Sequence, residues 1–536
     1  MSRLLPLVLL MATTPAFAAA PHSALQTLHA DVRAFETPPE RDGVPDYTAA
    51  TTAKRHAELP NFRARLDAID PKSLPVAQQV DWHIVRAELN GFDFMVRVLK
   101  PWERDPAWYV SIWTAQSDTP AHEGPTNHAA IELWQYAFPL SKDAEAKLTR
   151  EIRTIPPLLA QARGNLTGNA RDLWISGTAT LRQQDADLAA LDKKVPNAGR
   201  DLRAAIAAAR DATTQFVAWL EADAPKKTGP SGIGKEHYTW MLQNVHLLPL
   251  TWDDEKAILE RELARAWSSL ALEEQRNRAL PPMPTIESKA EYDQRANAAV
   301  VRYLEFLKKN DVLAVKPWFE PQMRAHLLDY VEPPKRDFFT TITHHEPLVL
   351  FLHWYHWWDH GRMAAEPHAS PIRRGPLLYN IWDSRAEGMA TAAEEMMMHA
   401  GLFDAQPRAR ELVWIMLAAR AARGLASLHA QANTFTMKDA SDFHVEWTPR
   451  GWMRRDNLLG FEQQLYLRQP GYGTSYVTGK VLIEELMQAR MKQLGPKFTT
   501  RRFFEEFDAA GMIPVPLIRL EMTGDASAVP ADTPLR

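Results

Sequence analysis

The densest chemistry in the sequence lies in His353-Trp354-Tyr355-His356-Trp357-Trp358-Asp359-His360. On a helix, positions 353, 356 and 360 are three, four and seven residues apart, which stacks three imidazoles on one face. Neutral imidazole nitrogens are good zinc ligands, and a catalytic zinc takes three protein ligands and leaves a fourth position for water. A second cluster runs from Asp383-Ser384-Arg385-Ala386-Glu387-Gly388 to Glu394-Glu395-Met396-Met397-Met398-His399. Glu387 and Glu394 lie seven apart on a predicted helix otherwise rich in Ala and Met. Acids buried there are costly unless paired, hydrogen-bonded or bound to a cation. Plainer readings remain beside these: a buried seam that histidine fills, a solvated acidic face, and Trp354, Trp357 and Trp358 as core packing rather than the wall of a pocket.

The elements that must position these groups read as helices from end to end. Apolar residues recur at three- and four-residue spacing over Val76 to Leu99, Asp143 to Leu191, Ala204 to Leu220 and Asp253 to Leu272. Thr251 followed by Asp253-Asp254-Glu255 predicts a capped helix start. Long period-2 alternations are scarce, so the expected fold is all-α: an extended two-lobed helical array around a central cleft. A break near 224–234, rich in Pro, Gly and Lys, suggests an N-terminal helical region over 19–228 and a C-terminal one over 229–536.

At the N-terminus, Arg3, the apolar run Leu4 to Met11 and Ala16-Phe17-Ala18 predict a cleavable signal peptide over 1–18. The mature chain is then expected to be soluble and periplasmic or secreted, without a membrane span. The 62 basic against 66 acidic residues give a net charge of −4, which speaks against nucleic-acid binding. With no cysteine, disulfides, thiolate metal sites and cysteine nucleophiles are excluded. No dinucleotide or phosphate-loop glycine motif and no Gly-x-Ser-x-Gly elbow occurs.

Three stretches together resemble the bacterial DUF885 family, a group of exported, mostly helical proteins with a zincin-like peptidase signature. They are the histidine segment, Glu387-Gly388-Met389-Ala390, and Pro470-Gly471-Tyr472-Gly473-Thr474-Ser475-Tyr476 to Lys480. The family pattern is His-Glu-x-x-Pro-Gly-His-His, then about thirty residues, then Glu-Gly-Trp-Ala. His353 falls on its first histidine, His360 on its last, and Asp359 where the other histidine stands. Leu428-His429 resembles a Gly-Leu/Ile-His element, and Tyr472 replaces the glutamine of Pro-Gly-Gln-Ala-x-x-Tyr. The resemblance implies a zinc ion held by His353, His360 and Glu387 with help from His356 or Asp359, and Tyr476 as a hydrogen-bond donor to an oxyanion.

The departure is at Trp354, where the family has the glutamate that takes a proton from the zinc-bound water. Glu346, Asp359 and Glu395 are the candidates to replace it. His429 is a candidate transition-state stabiliser or a core histidine. Arg385 and Lys480 are candidates to bind a substrate carboxylate or to pair acids within the fold. Two functions follow. One is an exported metal-dependent hydrolase, peptidase-like, acting on a small peptide or related amide. The other is a catalytically inactive binding protein with an aromatic ligand cleft.

Overall fold

A computed structural model of the chain describes residues 21–535, so the expected signal peptide lies outside the described residues. About 70% of the residues are helical and 2% are in strands, so nearly all backbone hydrogen bonds are satisfied locally and the fold is all-α. Among the described residues no helix is long and apolar enough to cross a membrane.

Local chemistry sets the helix ends. Thr251 caps the helix Trp252–Arg276 through a reciprocal capping box with Asp254, as the sequence predicts. The apolar run Asp143 to Leu191 is not one helix: it breaks into Lys142–Ile152, Ile155–Asn165 and Arg171–Lys194. Pro156 and Pro157 have no N–H to donate and are tolerated only in a first turn, so a new helix must start there.

Among the described residues, two large hydrophobic cores form beside a third, small cluster that includes Ala170, Leu173, Ala426 and Ala430. The larger takes residues from Leu25 to Phe94 and again from Ile233 to the C-terminus. The smaller is built within Val44 to Leu220, mostly from Trp102 onward. The chain therefore begins in the larger core, leaves it near Trp102 and returns at Ile233. Helix Val76–Phe94 buries Val80, Ile84 and Val85 in the same core as the C-terminal helices.

The centre of the larger core is a bundle of three buried helices: Asp383–His399 (the carboxylate helix), Pro407–Gln431 (the arginine helix) and Tyr472–Leu494 (the tyrosine helix). The carboxylate and tyrosine helices touch backbone to backbone. A Cβ added to Gly388 would lie 2.5 Å from the Gly479 carbonyl carbon, and one added to Gly479 would lie 2.3 Å from the Ser384 oxygen.

Glu255, fully buried beside the tyrosine helix, accepts hydrogen bonds from Tyr238 (2.7 Å) and Thr474 (3.1 Å). Burial outweighs these bonds and pushes its carboxyl up to about 7. A raised folded-state value favours folding below the unfolded value near 4.5, and that contribution is lost as pH rises to about 7. Glu255→Gln mimics the protonated form. It is expected to raise the melting temperature relative to wild type at pH 8.5, by up to about 3 kcal/mol of stability, and to leave it nearly unchanged at pH 4. Melting both proteins across that range checks the sign.

Candidate metal centre

The backbone before the histidines is shaped by two caps and a proline. Asp337 caps Phe338–His345, and Glu346 then turns extended and accepts the Leu348 N–H (3.2 Å) to cap Pro347–Phe351. Leu352–Trp354 tighten into a 3-10 turn before helix Tyr355–Ala365 begins. A three-residue spacing eclipses in such a turn. His353 and His356 accordingly face the same point, ring centroids 5.0 Å apart and nearly perpendicular.

That point is the Glu387 carboxylate. Its Oε2 lies 3.4 Å from His353 Nε2 and 3.2 Å from His356 Nε2. One ligand atom from each of the three residues falls within 4.8 Å of the others, so the group could hold a metal ion. His356 and Glu387 are buried and His353 is partly exposed. Burial alone would push the His356 proton off, but the Glu387 carboxylate, helped by Asp118 and Asp359, raises the imidazole to about 9. Burial opposes charge on Glu387 too, and the two histidines outweigh it, holding the carboxyl well below its usual range.

The residues around this group suit a cation. Two imidazoles and one carboxylate form a donor set used by catalytic zinc. A ligating histidine usually gives its other N–H to a carboxylate. Here Glu394 Oε1, buried and otherwise without a partner, stands 3.2 Å from His353 Nδ1. Arg420, from the arginine helix, pairs with Glu394 and reaches His353 Nδ1 at 3.1 Å. His356 Nδ1 is buried without a partner.

Two phenols and a loop close the site. Gly471, at φ +89°, opens the tyrosine helix in a conformation that favours glycine. Tyr476 stacks parallel to His353 at 5.9 Å and donates to the Tyr472 hydroxyl (3.2 Å). The Arg423 guanidinium lies 3.9 Å from the Tyr476 ring centre. The Tyr472 hydroxyl bonds Glu387 and, at 2.5 Å, Glu123. Glu123 belongs to loop 114–130, which joins the short strands Ile112–Trp113 and Ile131–Glu132 of the smaller core. Gln469 accepts the Gly124 N–H (2.6 Å) and donates to buried Asp383 (2.7 Å), while Arg468 holds the Pro125 carbonyl (2.9 Å). Burial, then Asp118, push Glu123 up to about 8, with Glu387 adding to the effect.

Several residues expected at the site are elsewhere. His360 does not join the group: one α-helical turn (about 6 Å of rise) beyond His356, its Nε2 meets the Asp118 carbonyl at 3.0 Å and its ring stacks on Trp357. The three acids considered as bases are committed to cations. Glu346 pairs with Arg302 (2.9 Å), Asp359 with Arg362 and Arg385, and Glu395 with Arg265 (2.6 Å) and Lys480 (3.1 Å). Arg385 and Lys480 are thereby buried ion-pair partners rather than groups open to a substrate. Arg385 holds Asp359 (3.0 Å) and Asp508 (2.9 Å), and Lys480 also meets Glu262 and Glu484. His429 packs against Trp252 and Phe435 and bonds the Thr434 hydroxyl. Trp354 stacks on Phe351 at 3.8 Å and Trp357 on His326 at 3.4 Å, so neither opens an aromatic cleft beside the histidines.

Glu123 and Asp118 carry no signal in the sequence, because their loop has neither helical period nor motif. Tyr472 could have been found, since it fills the motif position where the family has glutamine.

No curated protein matches the chain. Two solved structures share its fold. A proposed lipoprotein of unknown function from Shewanella oneidensis is 15% identical with a TM-score of 0.71, covering 94% of this chain and 100% of that one. A proposed lipoprotein from Colwellia psychrerythraea is 13% identical with a TM-score of 0.65, covering 95% and 99%. A family model described as a bacterial protein of unknown function, DUF885, matches residues 32–280 and 361–522. The interval between them contains the 3-10 turn and both converging histidines. With most of its length matched, the chain belongs to the DUF885 family.

Proposed function

We propose that His353, His356 and Glu387 hold a zinc ion and that the protein is an exported, metal-dependent hydrolase of peptide or related amide bonds. The observation that carries this reading is the convergence of two imidazole Nε2 atoms on one carboxylate oxygen, buried and backed by Glu394. A bound zinc supplies positive charge that polarises a carbonyl and favours loss of a proton from water. The protein's own groups do the rest. Glu394 Oε1 and the Arg420 guanidinium both meet His353 at Nδ1, which fixes the ring with Nε2 turned toward Glu387. Tyr476, with its ring fixed between His353 and Arg423, can turn its hydroxyl from Tyr472 to the oxygen on which negative charge develops. The matched regions and the helical fold support the family context, and the expected leader at 1–18 supports export.

The test is metal-dependent turnover. The purified protein is expected to bind one zinc per chain and to cleave members of a broad fluorogenic peptide library. A chelator should abolish cleavage, and added zinc should restore it. His356→Ala should lose both metal and cleavage. A folded wild type that binds zinc but cleaves no library member would favour a binding role instead.

A further inference from the structure

Resting on that metal-site reading, we propose that Glu123 is the proton-transfer residue of the site, taking the role that Trp354 cannot fill. Trp354 has no exchangeable acid and its ring is buried against Phe351. Around the three ligands, Glu394, Asp359 and Glu395 are each tied to arginine. Asp383 is fully buried behind Gln469. Glu123 has no such cation partner among the described residues and reaches the site on the loop that joins two strands of the smaller core.

The argument is a count of hydrogens. The Tyr472 hydroxyl owns one hydrogen yet sits within bonding distance of two carboxyl groups, Glu123 and Glu387, while Tyr476 donates to its oxygen. One of the two carboxyls must therefore bring its own proton. The other oxygen of Glu387 faces two imidazoles, which stabilise its negative charge. The proton then resides on Glu123, and the pressure that burial and Asp118 exert on this half-buried group agrees. Bridged by one phenol oxygen, the two carboxyls are at most about 5 Å apart, two hydrogen bonds end to end. Glu123 is thus within reach of a water lying beside the three ligands. Its position is fixed from both sides, because Gly124 and Pro125 are clamped by Gln469 and Arg468.

The step balances as follows. Water gives a proton to the Glu123 carboxylate while its oxygen forms the new bond to the carbonyl carbon. The C–N bond then breaks with its electron pair on nitrogen, and Glu123 delivers the proton to that nitrogen. Starting this cycle requires Glu123 to be ionised. A cation held at Glu387 would bring positive charge to within a few ångströms of Glu123, which favours the ionised form, so the stored proton leaves when the site is filled.

Zinc alone provides the first readout. Calorimetric titration with zinc at pH 7, in buffers of different ionisation enthalpy, counts the protons released. Wild type is expected to release about one more than Glu123→Gln, with zinc still binding to both. Cleavage of the peptide library should fall about 10²–10⁴-fold in Glu123→Gln. Equal proton counts overturn the proposal, as does full cleavage by zinc-loaded Glu123→Gln. Each of these leaves the metal site standing. A wild type that takes up no zinc overturns both readings together.

Discussion

Glu387→Ala is expected to lower zinc affinity by more than about 100-fold, beyond the 10–100-fold typical of removing an outer partner. The carboxylate is the one group that both imidazoles face, so neither histidine substitutes for it. The metal-free protein should suffer as well. Glu387 is the largest of the influences that, with Asp118 and Asp359, lift His356 to about 9 against burial, so without it the imidazole holds its proton less well. Breaking a buried charge pair costs about 3–5 kcal/mol, and here the Tyr472 hydroxyl also loses an acceptor. Glu387→Gln separates the two effects: it keeps the volume and an acceptor for Tyr472, so stability should recover more than zinc affinity does. Zinc titration and thermal melting of both variants give the two numbers.

The second large effect is expected at Gly479, which packs on Gly388, the chain neighbour of Glu387. A methyl there would stand 2.3 Å from the Ser384 carbonyl oxygen and 2.8 Å from the Gly388 Cα, both rigid helix backbone. No rotamer change relieves this, so the carboxylate and tyrosine helices must separate. Overpacking of this kind costs about 1–3 kcal/mol or more. One helix carries Glu387 and the other carries Tyr472 and Tyr476, so separation also pulls the phenols from the carboxylate. Gly479→Ala should therefore melt earlier and bind zinc more weakly. Gly460→Ala serves as the control: that exposed helical glycine has no heavy atom within 4 Å of its added Cβ, and alanine there should be neutral or stabilising by about 1 kcal/mol.

The helical character was legible because period and caps are local properties, as Thr251 and Asp254 illustrate. Glu387 and the histidine segment could be picked out because buried acids and clustered imidazoles are chemically costly without a reason. The ligand geometry was less legible. A uniform helix places His360 with His353, whereas the 3-10 turn at Leu352–Trp354 aligns His353 with His356 and leaves His360 a turn away. The charges of Asp359, Arg385, Glu395 and Lys480 look equally functional in one dimension. Only their neighbours, Arg362, Asp508, Arg265 and Glu484 among them, commit them to structure. Glu123 is the opposite case. It is brought to Tyr472 by a loop from a different hydrophobic core, and no local pattern encodes a contact between residues so far apart in the chain.

Crystals of the protein grown with equimolar zinc and measured at the zinc absorption edge test the metal centre most directly. The expected result is one anomalous peak per chain, about 2.0–2.2 Å from His353 Nε2, His356 Nε2 and a Glu387 oxygen. A peak at other residues, or none there while the two imidazoles remain hydrogen-bonded to the carboxylate, would contradict it.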